Sequence, residues 1–281
     1  MNKEIAVIVG SGFIGLAVAR RVGSGRAVLL ADYSEKALDA AAEQLRGEGH
    51  DVATHLVDVS DAATVAALAD AAAELGPVTQ VVHTAGVSPV QATTERVLNV
   101  DLLGTALVLD EFTRVIAPGG AGVVISSMAG HMWSPYAQEI EHALANTPAS
   151  ELLALPFLQP EEVGNSGAAY SLSKRANALR VQAAAVAWGK QGARVNCISP
   201  GIISTPLAQD EMSGPGAEGY RNMIATSAAG RLGTPDEVAD AAAFLLGRQG
   251  AFITGSDLLM DGGVIAALRA GEISLGAPRG Q

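Results

Sequence analysis

The chain has 281 residues, of which 49% are hydrophobic and 17% charged, so it can bury a large core in one or at most two domains. Its formal net charge of −11 argues against general binding to nucleic acids or anionic membranes. The single cysteine, Cys197, excludes an internal disulfide, and no apolar stretch is long enough to span a bilayer, so we expect a soluble, cytoplasmic protein.

Short runs rich in valine, isoleucine and leucine alternate with longer alanine-rich segments. This alternation is typical of βαβ units around a buried parallel sheet. The sequence therefore predicts an α/β fold, a doubly wound seven-stranded parallel sheet (Rossmann fold) in one domain over residues 1–281. The predicted strands cover residues 5–9, 27–31, 52–57, 80–83, 122–126, 194–198 and 257–260, and helical patterns cover 13–22, 34–46, 61–75 and 93–116.

Two segments depart from the alternation. Residues 131–166 contain four prolines and two short amphipathic stretches, 139–146 and 150–155, which predict a helical insertion. Residues 204–230 are rich in glycine and acidic side chains and predict a mobile loop beside the substrate. The lone thiol, Cys197, falls within the sixth strand, which favours an inert core residue over a nucleophile.

The first strand leads into a G-x-G-x-x-G sequence that opens the first helix. Glycines let a backbone approach a pyrophosphate, and a helix N-terminus supplies free N–H groups and positive potential. A tight turn without a ligand is the alternative, but the position between strand and helix favours a dinucleotide site. The residues of this glycine loop are Gly10, Ser11, Gly12, Phe13, Ile14 and Gly15.

Asp32 ends the second strand, where an acid hydrogen-bonds the hydroxyls of the adenosine ribose. A carboxylate there would repel a 2′-phosphate, and neither the glycine loop nor Tyr33 supplies a cation to bind one, so NAD is favoured over NADP. A simple strand-end cap is the alternative for Asp32. Asp58 and Val59 close the third strand and are expected to face the adenine, although Asp58 is also a candidate cap for the helix that follows.

Tyr170 and Lys174 are spaced four residues apart, which puts both side chains on one helical face. A phenol alone titrates near ~10, and a neighbouring ammonium favours the phenolate. The pair therefore suits acid and base chemistry near neutral pH. A solvated helix face is the alternative, and only the surrounding motifs distinguish the two.

Taken in order, these motifs resemble the short-chain dehydrogenase/reductase family over nearly the whole chain. The resemblance implies that Tyr170 is the general acid in ketone reduction and the base in alcohol oxidation, and that Lys174 holds the nicotinamide ribose and lowers the tyrosine pKa. It assigns the substrate oxygen to Ser127, with Ser126 as the second candidate. Further matching motifs are Ala85-Gly86, Asn196, Pro200 to Pro206, Arg231 to Ala239, Ile253-Thr254-Gly255 and Asp261-Gly262-Gly263.

The same resemblance implies further cofactor contacts at the ends of the fourth and sixth strands. Ile203 is expected to present its backbone to the nicotinamide carboxamide, and Thr205 to hydrogen-bond the same end. No metal ion is implied. The remaining expected cofactor contacts are Thr84, Ala85, Gly86, Pro200 and Gly201.

Three features of the sequence depart from the family pattern. The glycine loop is one residue shorter than usual. His83 and Thr84 stand where the family has two asparagines, and we expect His83 to be structural. Asp101 stands where the family has a helix asparagine. The family role of that residue is to hold a water of a proton relay through its backbone carbonyl, which Asp101 can retain. A carboxylate near Lys174 can also alter the coupled titration of the site.

Tyr170 follows Ser127 by 43 residues, far more than in most of the family, because residues 131–166 intervene. Some carbonyl reductases and hydroxysteroid dehydrogenases are similar in this respect. The insertion is either a lid over an apolar substrate or a packed element that changes subunit contacts, since the family pairs subunits through the helix that carries the tyrosine. We expect a homo-oligomer, a dimer or a tetramer.

The expected substrate is a neutral secondary alcohol or ketone, because an acidic loop at 204–230 disfavours strongly anionic acyl carriers or CoA thioesters. The alternative within enzymes is a 3-oxoacyl thioester reductase using NADPH, which Asp32 opposes. An enoyl reductase would space its tyrosine and lysine more widely. The alternative from another class is a non-catalytic dinucleotide sensor, which would not need Ser127, Tyr170 and Lys174 together.

Overall fold

Seven parallel strands form one sheet in the computed structural model, which describes residues 3–214 and 216–274. The strand order is β3-β2-β1-β4-β5-β6-β7, so the chain reverses direction across the sheet between β1 and β4. A crevice opens at such a point outside the carboxyl ends of the strands. The strands are β1 (Ile5–Val9), β2 (Ala27–Asp32), β3 (Asp51–Leu56), β4 (Val78–His83), β5 (Ile116–Ile125), β6 (Arg194–Pro200) and β7 (Asp257–Met260).

Helices connect the strands and cover both faces of the sheet. The described α-helices are α1 (Phe13–Val22), α2 (Glu35–Gly47), α3 (Ala62–Leu75), α4 (Thr94–Val97), α5 (Gly104–Val115), α6 (Gln138–Asn146), α7 (Ala149–Leu152), α8 (Pro160–Val163), α9 (Ser166–Lys190), α10 (Pro206–Ser213), α11 (Ala217–Thr226), α12 (Pro235–Leu246) and α13 (Val264–Arg269).

The predicted helix over 93–116 is interrupted, and the strand after it starts early. A π-helical turn, Leu98–Leu103, joins α4 to α5, and β5 begins at Ile116 instead of residue 122. A π turn widens the backbone by one residue and re-aims the side chains after it, which the apolar periodicity does not reveal. The seven strands and the parallel arrangement agree with the sequence prediction. The prediction of a loop over residues 204–230 is wrong, because α10 and α11 lie within this segment.

Alternate residues of the inner strands enter opposite cores, as the pleat requires. In β1, Val7 packs in the core that contains Leu68 of α3 and Phe112 of α5, whereas Ile8 packs in the core that contains Val18 of α1. Both faces are buried, which explains why the strands read as continuous apolar runs. The polar chemistry is thereby confined to the strand ends and the loops that follow them.

The insertion packs on the outer side of α9. Leu144, Leu152 and Leu158 are fully buried in the same core as α3, α5 and α9. The buried guanidinium of Arg180 donates to the carbonyls of Leu144 and Thr147, each at 3.0 Å. Helices α6 and α7 therefore contribute buried side chains to this core.

Replacing Leu152 with alanine should destabilise the whole protein, because the cavity left in a closed core costs about 2–5 kcal/mol. Urea unfolding followed by circular dichroism measures the loss. Val186→Ala, at an exposed position on α9, is the matched control and should change the free energy of unfolding little. Equal effects of the two substitutions would mean that the insertion is not part of the folded core.

Candidate active site

The carboxyl ends of β4, β5 and β6 surround a cavity of about 340 Å³. Its wall brings together residues from the ends of three strands, the π-helical turn and the first turn of α9. All four predicted catalytic residues line it: Asp101, Ser127, Tyr170 and Lys174. The predicted cofactor residues that also line it are Ile14, Thr84, Gly86, Pro200, Gly201, Ile203 and Thr205.

The remaining predicted cofactor residues lie outside this cavity, at the adjoining ends of β1 to β4. They form the glycine loop and the two strand ends expected to hold the adenosine. They are Gly10, Ser11, Gly12, Phe13, Gly15, Asp32, Tyr33, Asp58, Val59 and Ala85. The two groups together cover the length expected for a dinucleotide site that crosses the switch point of the sheet.

Tyr170 and Lys174 are placed by the start of α9. The side chain of Asn165 caps this helix by accepting from the N–H of Ala168 at 2.9 Å. The Nζ of Lys174 lies 5.1 Å from the centre of the Tyr170 ring. The spacing of four residues thus brings the ammonium against the phenol, as the sequence predicts.

The two candidate serines differ in their surroundings. The Ser126 hydroxyl is buried and donates to the backbone carbonyl of Lys174 at 2.7 Å, which ties the end of β5 to α9. The Ser127 oxygen accepts from the N–H of Ala129 at 3.2 Å, which leaves its proton for another acceptor. Ser126 is therefore occupied in holding the helix, whereas Ser127 keeps a donor at the cavity wall.

Asp101 forms a buried ion pair with Lys174. One oxygen of its carboxylate lies 2.7 Å from Nζ, and the other accepts from the N–H of Val87 at 3.1 Å. Burial lowers the pKa of Lys174, but the charges of Asp101 and Tyr170 outweigh burial and raise this pKa above its ordinary value. The backbone carbonyl of Asp101 accepts from the Thr105 hydroxyl at 2.9 Å. The π-helical turn aims Asp101 inward, where the carboxylate holds Lys174 directly.

His83 is a structural residue, as expected from the sequence. It is buried, and its Nε2 lies 3.2 Å from the Thr105 hydroxyl. Because that hydroxyl donates to Asp101, it must accept here, so Nε2 carries the proton. Burial and the nearby charge of Lys174 lower the pKa of His83 to about 3, and the ring is neutral at physiological pH.

The glycine loop fits a pyrophosphate. Gly10 has a φ of +104°, and a Cβ on it would lie 2.5 Å from the Thr84 hydroxyl oxygen; a Cβ on Gly15 would collide with the Gly10 carbonyl. A Cβ on Gly12, at the start of α1, would meet no atom within 4 Å, so this side of the loop is open. Thr84 donates to the carbonyl of Gly10 at 3.0 Å and supplies the side-chain support at the position where the family has asparagine.

The carboxylate of Asp32 is held by the glycine loop. One oxygen accepts from both the N–H and the hydroxyl of Ser11, each at 2.7 Å, and the other accepts from the N–H of Ser34 at 2.9 Å. A carboxylate offers about four lone-pair sites, so capacity remains for ribose hydroxyls. Asp32 therefore fixes the glycine loop at the end of β2.

Asp58 does not cap the helix that follows it, so that alternative is wrong. The cap of α3 is Asp61, whose carboxylate accepts from the N–H of Ala63 at 2.8 Å. Asp58 instead accepts from the N–H and hydroxyl of Ser60 at 2.9 and 2.6 Å. Burial raises the pKa of Asp58, but the bonds from Ser60 and the charge of Arg96 outweigh it and lower the pKa.

Two family models match this chain and together cover most of it. Residues 3–138 match the family model described as short chain dehydrogenase, and residues 135–265 match the one described as Enoyl-(Acyl carrier protein) reductase. A short-chain dehydrogenase/reductase of Alternaria brassicicola is 42% identical over 272 residues, covering 95% of this chain and 98% of the relative. The chain belongs to the short-chain dehydrogenase/reductase family. It is therefore an oxidoreductase acting on CH–OH groups, in a family that binds NAD or NADP.

Two further members of the family carry substrate names. The cis-4-hydroxycyclohexanecarboxylate dehydrogenase of Sinomonas cyclohexanicum is 32% identical, covering 94% of this chain and 97% of its own. The galactitol 2-dehydrogenase of Cereibacter sphaeroides is 30% identical, covering 94% and 95%. Among solved structures, a short-chain dehydrogenase/reductase of Mycobacterium ulcerans has a TM-score of 0.74 at 24% identity, covering 94% of this chain and 90% of its own, a likeness of fold.

The substrate side of this short-chain dehydrogenase/reductase is apolar. Met128 is buried in a cluster with Ile202 and Val264, and Met132 and Tyr220 are half-buried against it. The motifs do not mark Met128 or Met132 as lining residues; Met128 becomes recognisable only once it is placed on the 3₁₀ turn after Ser127. The cavity residues that the sequence did not single out include Val87, Pro89, Met128, Met132 and Ala208.

The insertion contributes little to the cavity. Met132 lines it, but none of residues 133–166 does. The buried Cys197 thiol lies behind the site, and burial raises its pKa well above the ordinary value, which agrees with an inert core residue. Among the described residues, no helix has the length and apolarity needed to cross a membrane, and no three His, Cys, Asp or Glu side chains group to hold a metal ion.

Asp101→Asn should move the alkaline limb of the pH–rate profile to lower pH. Without the carboxylate, burial dominates and lowers the pKa of Lys174, so the ammonium loses its proton at a lower pH. The measurement is kcat/KM for alcohol oxidation across pH. Glu95→Gln, which removes an exposed carboxylate nearby, should leave the profile in place. An unmoved profile in a folded Asp101→Asn variant would rule out a titrating role for this pair.

Proposed function

We propose that the protein is an NAD-dependent dehydrogenase that interconverts a secondary alcohol and a ketone, with Tyr170 as the general acid and base. The observation that carries the proposal is the single cavity wall on which Ser127, Tyr170 and Lys174 meet beside the glycine loop. Family membership gives the reaction class, and this wall supplies groups suited to each part of it.

The roles follow from the contacts of each side chain. Tyr170 gives or takes the proton of the substrate oxygen, and the ammonium 5.1 Å from its ring favours the phenolate needed for oxidation. Ser127 donates to the same oxygen and stabilises the negative charge that develops there. Asp101 keeps Lys174 charged in the absence of water. A bound nicotinamide accepts or supplies the hydride.

The preference for NAD over NADP rests on Asp32. Its carboxylate is fixed at the end of β2 by Ser11 and Ser34, so it cannot turn away from the adenosine ribose without losing three hydrogen bonds. A 2′-phosphate would meet this fixed negative charge. The fixed carboxylate of Asp32 also opposes a 3-oxoacyl thioester reductase that uses NADPH.

The proposed substrate is an alicyclic alcohol or ketone. Met128, Met132 and Ile202 line the cavity together with Tyr170 and supply apolar surface for a ring. The relative named for 4-hydroxycyclohexanecarboxylate fits this surface better than the relative named for galactitol, whose many hydroxyls need polar partners. Tyr170 and Lys174 are four residues apart, which opposes an enoyl reductase despite the description of one family model.

The proposed role of the insertion is to pack α9 and set subunit contacts, without acting as a lid. Residues 133–166 do not line the cavity, and α6 packs on α9 while α7 packs on α5 and α8 on α4. Since the family pairs subunits through α9, we expect a homodimer rather than a tetramer. Light scattering after size exclusion should give the mass of two chains; a mass of four chains would contradict this role.

Tyr170→Phe should lower kcat at least about a hundredfold, because the variant cannot transfer the proton. Its affinity for NADH, measured by fluorescence, should stay unchanged, since only the hydroxyl is lost. Tyr136→Phe in the insertion is the matched control and should keep full activity. Undiminished turnover in Tyr170→Phe would contradict the role of Tyr170, whereas NADH binding without turnover in the unaltered protein would favour a dinucleotide sensor.

A substrate screen tests the remaining parts of the proposal. Cyclohexanols, cyclohexanones and acyclic polyols are assayed with NAD(H) and with NADP(H), and we expect turnover of the cyclic compounds with NAD(H). A preference for NADP would contradict the role of Asp32. Faster turnover of galactitol than of cyclohexanols would contradict the substrate class but not the role of Tyr170.

A further inference from the structure

An arginine that no motif marked reaches across the adenosine end of the cofactor site. The guanidinium carbon of Arg96, on α4, lies 5.4 Å from the centre of the Tyr33 ring, just after the end of β2. One terminal nitrogen lies 3.2 Å from the Ser60 hydroxyl oxygen and 3.7 Å from a carboxylate oxygen of Asp58. A single side chain therefore spans the ends of β2 and β3, between which the adenosine is expected.

The position of Arg96 is fixed by its own turn. The Thr93 hydroxyl oxygen accepts from the N–H of Arg96 at 3.2 Å and caps α4, and the next residue, Val97, is fully buried in the core. The backbone of Arg96 is thus anchored on both sides. Its side chain is 38% exposed, so the guanidinium next to Tyr33 remains accessible from solvent.

Among the side chains at this end of the site, Tyr33 and Arg96 offer planar groups on which an adenine ring can stack. The carboxylate of Asp32 suits ribose hydroxyls and that of Asp58 suits an amino group, but a carboxylate does not stack on a neutral purine. A guanidinium is planar and weakly hydrated, and it stacks on aromatic faces in a way that an ammonium does not.

We propose that Arg96 binds the adenine of the cofactor, with the purine stacked on the open face of the guanidinium and Tyr33 behind it. The 5.4 Å separation is that of direct contact, so the purine lies outside the pair and not between its members. Ser60 and Asp58 hold the guanidinium in this plane. The assignment concerns the adenosine end alone and does not depend on the alcohol that the enzyme oxidises.

Calorimetric titration with AMP tests the assignment, because AMP carries the adenosine end without the nicotinamide. Arg96→Ala should weaken AMP binding about tenfold, the size expected for losing one stacking contact. Arg96→Lys should weaken it as much, since lysine keeps the charge but not the plane.

Arg114→Ala is the matched control. This arginine is exposed and ion-paired on α5, and its loss should leave AMP affinity unchanged. Arg96→Met keeps most of the side-chain length and replaces the alanine variant if that one fails to fold. A double-mutant cycle with Tyr33→Ala should show coupling, because both residues serve one surface.

Two results would overturn the assignment. The first is an AMP affinity in Arg96→Ala or Arg96→Met equal to that of Arg114→Ala. The second is full recovery of affinity in Arg96→Lys, which would mean that charge alone is used.

Discussion

Lys174 carries a positive charge where water hardly reaches, and an ammonium in that position requires a counter-charge in contact with it. Asp101 supplies it at 2.7 Å, itself fully buried. Buried ion pairs contribute little net stability, since desolvation offsets most of the attraction. The pair therefore makes sense through what it does to its neighbours: it keeps the ammonium charged beside Tyr170 and makes the π-helical turn a fixed part of the site.

Several features of the fold converge on this pair. The order of the strands places the ends of β4, β5 and β6 side by side, and the Ser126 hydroxyl joins β5 to the carbonyl of Lys174. Thr105 donates to the carbonyl of Asp101 and accepts from Nε2 of His83. His83 and Asp101, which both replace an expected asparagine, are thus connected through Thr105, whereas Thr84 bonds the glycine loop.

Much of this was predictable from the sequence, because it depends on short-range patterns. Apolar runs gave the seven strands, and the glycine loop, Asp32 and the spacing of Tyr170 and Lys174 gave both ends of the site. What escaped prediction depends on contacts between distant segments. The π turn leaves no mark in the apolar periodicity. The ion pair between Asp101 and Lys174 depends on how two helices pack. Asp58 was a candidate helix cap, but Asp61 caps α3. Arg96 also belongs to this second group, since its partners come from two other segments of the chain.

The hydrogen bonds between Arg180 and the insertion have a consequence for the motion of α9. Arg180 donates to the carbonyls of Leu144 and Thr147, so separating the insertion from α9 would leave the guanidinium and both carbonyls without these partners. Such a cost joins the two segments into one cooperative unit of local opening. The backbone amides of α9, the helix that carries Tyr170, should then exchange with solvent deuterium only when the insertion detaches. The insertion would in this way set the rate at which α9 opens locally.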